Sequence, residues 1–178
     1  MNLDPASALI VVDLQIGTTS APTAHDSTEI IARGAALAAA FRAAGRPVVL
    51  ANVDGTPPGR NVYGGGAREF PTEFSALVLE AAASDILVTR RTWSAFAGTD
   101  LDATLTTAGV TQVVIAGVAT SFGVESTARA AYDLGYSVIV VTDAITDRSF
   151  ESHESSIARV FPALAELATT DEVIAGLV

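Results

Sequence analysis

Residues 8–14 read A-L-I-V-V-D-L, an apolar run that a single carboxylate interrupts near its end. Further runs rich in Val and Ile lie at residues 47–52, 86–89, 112–116 and 137–141, with a shorter candidate at 166–169. Helical segments with capping and stop residues separate them, at 30–44, 100–108 and 123–134. Apolar strands that alternate with helices are typical of a parallel sheet covered on both faces. The sequence therefore predicts an α/β domain around five or six parallel strands.

Composition excludes several kinds of chemistry. The chain has 178 residues, a formal net charge of −10 and no cysteine, and all ten of its cations are arginine. Without cysteine or lysine there can be no thiolate nucleophile, no disulfide, no Cys-bound metal and no lysine Schiff base. The acidic balance argues against nucleic acid or anionic membrane as a partner, because both require a basic face.

Length and hydropathy predict one domain over residues 1–178 and a cytoplasmic protein. The length is that of one typical domain. No apolar run approaches the roughly 20 residues that span a bilayer. The opening M-N-L-D-P lacks the cationic start of a signal peptide.

Ligands bind beyond the carboxyl ends of the strands in an open parallel sheet, so the residues that follow each strand are the candidates for a site. They are Asp13, Asn52, Asp54, Arg90, Arg91, residues 120–123 and Asp143. Asp13 stands between apolar neighbours, where partial desolvation would raise its pKa and suit it to proton transfer. The alternative is that Asp13 only caps a helix or braces a loop.

Arg90 and Arg91 are adjacent in an extended strand, so their side chains should point in opposite directions and only one should face the site. An arginine there can clamp a carboxylate or stabilise an oxyanion, although a surface ion pair is the alternative. Trp93 is a candidate for the pocket wall. Phe96 is expected in the core.

Small residues open the predicted helix after the fourth strand. Ala119, Thr120, Ser121 and Phe122 precede Gly123, and the free backbone N–H groups of a helix start form a site for an anion or an oxyanion. The spacing A-x-S-x-G also permits another interpretation, a nucleophile elbow.

In that interpretation Ser121 would be the nucleophile, with Asp143 and His153 completing a triad. The two histidines of the chain lack metal-ligand spacing, so neither a metal nor a cofactor is predicted. The Gly- and Pro-rich residues 53–70 are either disordered or a loop over the site, from which Arg60 would reach the substrate.

Three longer motifs extend these observations. They are A-L-I-V-V-D-L-Q from residue 8, R-R-T-W-S-A-F-A-G-T-D-L from residue 90, and G-V-A-T-S-F-G-V-E-S-T-A-R-A-A-Y-D-L-G-Y from residue 117, followed by V-V-T-D-A. Together they resemble the isochorismatase-like hydrolase family, which includes nicotinamidases and other cysteine amidases. The resemblance implies a three-layer α/β/α sandwich with a Rossmann-like parallel sheet, and a homodimer or higher homo-oligomer.

The amidases of this family use an Asp, a Lys and a Cys. Asp13 matches the Asp, Arg90 falls where the Lys is expected, and Gly123 falls where the Cys is expected. True isochorismatases also lack the cysteine and keep the Asp, which is thought to protonate a vinyl ether before water completes its cleavage.

The resemblance thus implies a hydrolase that acts on a small carboxylate-bearing metabolite without cysteine. Asp13 would be the acid/base, Arg90 the anion clamp and the backbone at Gly123 part of the cradle. Substrate would contact Ala119, Thr120, Ser121, Phe122, Trp93 and Arg60. Two alternatives remain: a family member that binds a small molecule or a protein without catalysis, and a hydrolase whose nucleophile is Ser121 or Thr120.

Overall fold

A computed structural model describes residues 1–177 and contains eight strands. They are β1 Ser7–Val12, β2 Val48–Val53, β3 Gly55–Thr56, β4 Arg68–Glu69, β5 Ile86–Arg90, β6 Gln112–Val118, β7 Ser137–Thr146 and β8 Glu166–Ala168. Six of them form one sheet in the order β5-β2-β1-β6-β7-β8, and every neighbouring pair is parallel. β3 and β4 form a separate antiparallel hairpin. The predicted parallel sheet is confirmed, including its sixth strand.

Seven α-helices lie within the described residues. They are α1 Ile16–Thr19, α2 Ser27–Ala43, α3 Thr72–Ser75, α4 Leu101–Thr107, α5 Glu125–Asp133, α6 Phe150–Ser155 and α7 Thr170–Ala175. α2 begins before the predicted residue 30 because the Asp26 side chain accepts a hydrogen bond from the backbone N–H of Thr28 at 2.8 Å. The helix predicted from Gly123 exists, but it is preceded by a π-helical turn over Thr120–Val124.

Alternate residues of β1 supply two separate cores. Leu9 and Val11 pack with Leu37 and Phe41 of α2 on one face of the sheet. Ala8, Ile10 and Val12 pack on the other face against α4, α5 and the segment around Phe161. Because side chains alternate across a strand, an unbroken apolar run is buried on both faces, which produces the three layers.

The strand order creates a crevice at the carboxyl edge of the sheet. From β1 the chain moves outward to β2 and β5, and then returns to place β6, β7 and β8 on the other side. The connections that leave β1 and β6 therefore diverge, which is the position where open α/β sheets bind ligands. Among residues 1–177, no helix is long and apolar enough to cross a membrane.

Candidate active site

Asp13 lies at the end of β1 and is held in an uncommon conformation. Its φ is 49°, in the left-handed region, and its backbone N–H donates to the Ala51 carbonyl at 2.8 Å. The residue is 7% exposed. Burial raises the pKa of Asp13, although the hydrogen bonds and charge of Arg90 oppose the rise. A buried carboxylate beside a pocket is a candidate for accepting or donating a proton.

Arg90, the last residue of β5, forms a two-point ion pair with Asp13. Its Nη1 and Nη2 lie 2.6 and 2.9 Å from the two carboxylate oxygens, and Nη2 also donates to the Trp93 carbonyl at 2.9 Å. Arg91 is exposed and pairs with Asp54 and Glu69, and it also lines the pocket described below. Arg90 is therefore occupied in holding Asp13, which does not support the expectation that it would clamp a substrate anion.

Gly123 lies directly beside this ion pair. A Cβ built on Gly123 would be 2.9 Å from Val12 Cγ1, 3.1 Å from Asp13 Oδ2 and 3.4 Å from Arg90 Nη2. The end of β1, the end of β5 and the turn after β6 thus bring Asp13, Arg90 and Gly123 to one point.

A pocket of about 280 Å³ opens in front of Asp13 and Gly123. Aromatic pairs form two of its walls. The rings of Trp93 and Phe122 meet edge to face with centroids 5.1 Å apart, and those of Phe70 and Phe74 are 4.6 Å apart. The remaining lining residues are Thr18, Val53, Gly55, Thr56, Arg91, Thr92, Val118, Ala119 and Arg148. The pocket combines apolar walls with two cations.

The residues predicted to contact substrate fall into two groups. Ala119, Phe122 and Trp93 line the pocket. Thr120 is fully buried, with its Oγ1 2.8 Å from His153 Nδ1, and the Ser121 hydroxyl donates to Asp147 at 2.7 Å. Arg60 is exposed between β3 and β4 and is not among the pocket-lining residues. The base of that hairpin does reach the pocket.

The alternative serine triad is not assembled in the structure, because its three side chains bond to other partners. Asp143 accepts hydrogen bonds from the backbone and hydroxyl of Thr170 and pairs with Arg33, on the side of the sheet near α2 and α7. His153 contacts Thr120 rather than Ser121. The three residues follow one another along the chain, but β7 and α6 carry Asp143 and His153 to separate surroundings.

Sequence reasoning missed Arg148 and the Phe70–Phe74 wall. The strand-end rule would have found Arg148 had β7 been extended from residue 141 to Thr146, because Arg148 follows it closely. The polar residues Thr142 and Asp143 interrupt the apolar run and conceal that extension. Phe70 is the last residue of the segment 53–70 that the sequence placed over the site as one of two alternatives, whereas for Phe74 we identify no sequence signal.

Asp147 ties the segment after β7 to the turn after β6. Its buried carboxylate accepts from the backbone N–H and the hydroxyl of Ser121, both at 2.7 Å, and from the backbone N–H of Ser149 at 3.3 Å. The adjacent residue, Arg148, lines the pocket.

No group of three or more potential metal ligands occurs in the described part of the chain. The two histidines lie together instead, with ring centroids 4.5 Å apart, and burial together with the neighbouring His25 lowers the pKa of His153.

Comparison with known proteins agrees with the fold. The Isochorismatase domain model matches residues 7–172. The uncharacterized isochorismatase family protein YecD of Escherichia coli O157:H7 is 35% identical over 180 residues, which cover 96% of each chain. Ureidoacrylate amidohydrolase RutB of Methylobacterium radiotolerans is 33% identical over 192 residues, covering 89% of this chain and 74% of the relative.

Among solved structures, an isochorismatase family protein from Burkholderia thailandensis superposes with a TM-score of 0.94 at 35% identity, over 99% of this chain and 97% of that one. The fold and the site define an α/β protein with a buried carboxylate–guanidinium pair at the carboxyl edge of a parallel sheet. The chain belongs to the isochorismatase family, a family of hydrolases that act on small molecules.

Proposed function

We propose that this protein hydrolyses a small carboxylate-bearing metabolite by a route that needs no cysteine. Asp13 carries the proton and a water molecule is the nucleophile. The observation that supports this most strongly is Asp13 itself, a buried carboxylate with a raised pKa that lines the pocket beside a helix start.

For an amide or ester, the Asp13 carboxylate accepts a proton from water as the water oxygen bonds to the carbonyl carbon. The C–N or C–O bond then breaks, and the leaving group departs with the proton that Asp13 returns. For a vinyl ether, protonated Asp13 donates its proton to the vinyl carbon, and water adds to the resulting oxocarbenium carbon and returns a proton to the Asp13 carboxylate. The hemiketal then breaks its C–O bond, which releases the alcohol and a carbonyl product. In the acyl reaction, backbone N–H groups at Ala119 and Gly123 would stabilise the oxyanion.

Arg148 is the reason for proposing that the substrate carries a carboxylate. It lines the pocket, and within residues 1–177 it has no ion-pair partner, although the chain carries twenty acidic residues. Arg91, the other cation of the pocket, is already paired with Asp54 and Glu69. A guanidinium without a carboxylate partner, beside aromatic walls, matches a small anion with an apolar body.

The test is a panel of amides, esters and vinyl ethers, each as a carboxylate and as its methyl ester. Wild type should turn over the carboxylate form, and Asp13→Asn should lower kcat by about 10²- to 10⁴-fold because the proton carrier is lost. Arg148→Ala should raise KM for the carboxylate by about 10- to 100-fold and leave the methyl ester unchanged.

Arg159→Ala is the matched control, since it removes the same charge from an exposed position outside the pocket. Full activity in Asp13→Asn would contradict the proposal. The second candidate function is ligand binding without turnover, which the absence of a side-chain nucleophile at Gly123 favours. Tight binding of the carboxylates without turnover of any class would identify it.

A further inference from the structure

We infer that Gly17 and Phe74 together determine which substrate bodies the pocket admits. Phe74 is the specificity-determining wall, and Gly17 is the positioning residue whose missing side chain lets the Phe74 ring lie where it does. The inference deepens the proposed function, on which it rests for the carboxylate end of the substrate. What it adds is a size limit on the apolar end.

The Phe74 ring lies directly against Gly17 of α1. A Cβ built on Gly17 would overlap three atoms of that ring, Cγ, Cδ2 and Cε2, and these are the three heavy atoms nearest to it. Gly17 is helical and its φ lies outside the left-handed region, so its backbone conformation suits alanine as well as glycine. A side chain at position 17 would therefore meet the Phe74 ring, without backbone strain of its own.

The backbone that carries Phe74 is fixed against α1. The side-chain Nε2 of Gln15, which is fully buried, donates to the Phe74 carbonyl at 3.1 Å and to the Val53 carbonyl at 3.0 Å. The backbone N–H of Ile16 donates to the Ala76 carbonyl at 2.9 Å. Breaking these bonds would leave buried polar groups unpaired, which is unfavourable. Relief of an overlap must therefore come from the ring itself.

Movement of the ring changes the pocket. Phe70 packs against Phe74 with ring centroids 4.6 Å apart, and the half-buried Phe74 ring lines the pocket. A ring displaced from Gly17 must turn into the pocket or out of its wall. In both cases the substrate meets a different surface, so position 17 controls the wall although Gly17 is not itself a pocket-lining residue.

The experiment compares wild type, Gly17→Ala, Phe74→Ala and the double variant. Trp93 is the only tryptophan of the chain and lines the pocket, so its fluorescence reports binding without turnover. The probes are cyclohexanecarboxylate and adamantane-1-carboxylate, which carry the same anion on a smaller and a larger apolar body and do not absorb at the excitation wavelength. Wild type should bind the smaller probe more tightly.

Phe74→Ala should weaken binding of cyclohexanecarboxylate by about 10-fold, because an aromatic contact is lost, and should shift the preference toward the larger probe. Gly17→Ala should weaken binding of both probes by about 10-fold, because the displaced ring disturbs the wall. In the Phe74→Ala background the change at Gly17 should have no effect, since the ring that it overlaps is gone.

Turnover of the best substrate of the panel gives a second measurement. The same changes should appear in KM, with kcat within a few-fold of wild type, because the bonds between Asp13 and Arg90 remain. A merely structural defect would lower kcat as well.

Thermal unfolding follows the same cycle without any ligand. Gly17→Ala should lower Tm by about 3 to 8 °C in the wild-type background through overpacking, and should not lower it in the Phe74→Ala background. Gly59→Ala, at an exposed position with open space around it, is the control and should change neither Tm nor binding.

A loss in Gly17→Ala that persists in the Phe74→Ala background would overturn the inference. So would a Phe74→Ala variant that keeps the wild-type preference between the probes, or a wild type that binds neither probe. If Gly17→Ala does not fold, a folded double variant supports the inference, and a double variant that also fails to fold contradicts it.

The proposed function fails separately from this inference. Arg148→Ala should weaken binding of both probes equally if Arg148 holds the carboxylate. A wild type that binds the probes and turns over no substrate would count against the proposed hydrolysis, while the binding and unfolding cycles would still decide whether Gly17 places the Phe74 ring.

Discussion

The buried ion pair of Asp13 and Arg90 fixes the position of the Asp13 carboxylate more than it stabilises the fold. Replacing such a pair by apolar residues is often neutral, whereas removing one partner leaves the other charge buried and unpaired. Here the partner left behind by a change at Asp13 would be Arg90, which is 4% exposed and cannot lose its proton. The pair is therefore costly to break even though it is not a large net source of stability.

We expect Asp13→Asn to lower the free energy of unfolding at pH 7 by about 3 to 5 kcal/mol, through the uncompensated Arg90. Asp54→Asn breaks the half-exposed pair with Arg91 and should cost about 1 kcal/mol or less. Urea unfolding of both variants measures the difference. Equal costs would mean that the Asp13 site is far more hydrated than its burial indicates.

Substitution of Ser121 tests the alternative mechanism in which the Ser121 hydroxyl is the nucleophile. Its hydroxyl donates to Asp147, and its backbone N–H makes a second bond to the same oxygen that survives substitution. Ser121→Ala should therefore keep kcat within a few-fold of wild type, and mass spectrometry should detect no acyl-enzyme. A loss of several hundred-fold, or a trapped acyl adduct, would restore the serine mechanism.

Gly117 near the end of β6 allows two strands to approach. Its φ is +122°, and a Cβ would overlap the carbonyl of Val12 in β1. Gly117→Ala should destabilise by about 3 kcal/mol or more, because backbone strain and overpacking add together. Gly109→Ala, at φ +72° with open space around it, carries the strain alone and should cost about 1 to 2 kcal/mol. Thermal unfolding of both variants separates the two contributions.

At the scale of elements, the sequence predicts the strands that are buried on both faces of the sheet. It does not predict the bounds of a strand whose apolar run is interrupted by polar residues. The run at β1 is unmistakable, since every residue from Ser7 to Val12 is buried. β7 continues to Thr146, five residues beyond the predicted end, because Ala144 and Ile145 are buried again after Thr142 and Asp143. That extension, and not a missing motif, is what concealed Arg148.

Local irregularities were likewise beyond prediction. The π-helical turn at Thr120–Val124 and the short hairpin of β3 and β4 depend on tertiary contacts rather than on periodicity. Strand alternation predicted that Arg90 and Arg91 point in opposite directions, but it did not predict which of the two is buried. Which partner Arg90 would choose did not follow, because any of twenty carboxylates was available.

The contact between α2 and the start of β5 carries a pH-dependent part of the stability. Arg42 grips both carboxylate oxygens of Asp85, which is 1% exposed and also accepts from the Ala82 backbone. Burial alone would raise the pKa of Asp85, but the bonds from Arg42 and Ala82 outweigh it and hold the pKa below its usual value. A carboxyl with a depressed pKa stabilises the fold above its unfolded pKa of about 3.9 and loses that effect as pH falls through the folded value.

Asp85→Asn should therefore cost about 1 to 2 kcal/mol at pH 6, and the difference from wild type should shrink toward pH 2. Unfolding in urea at a series of pH values measures this. Glu29→Gln, which loosens an exposed pair with Arg33 at 3.5 Å, is the control and should change little at either end. A penalty that stays constant with pH would mean that Asp85 acts through packing alone.

At the scale of the whole molecule, the charge distribution separates the pocket from the rest of the surface. The net charge is −10, yet the side chains with full charges that line the pocket are Asp13, already paired with Arg90, and the cations Arg91 and Arg148. An anionic substrate is thus repelled by the average field of the protein and attracted only close to the site. The expected homodimer or higher homo-oligomer stays a prediction, which sedimentation velocity can test.

The sequence contains no cysteine. Resistance to thiol reagents should therefore distinguish this protein directly from the cysteine amidases that the chain resembles. Excess iodoacetamide or mild peroxide should leave turnover unchanged, because no thiol exists to be alkylated or oxidised. Dialysis against a chelator should also have no effect, since water activation is assigned to Asp13 and the described residues hold no cluster of metal ligands. Activity that disappears with the chelator and returns with a divalent ion would mean that a metal, and not Asp13, activates the water. Such a metal would need ligands that are absent from the described residues around the pocket.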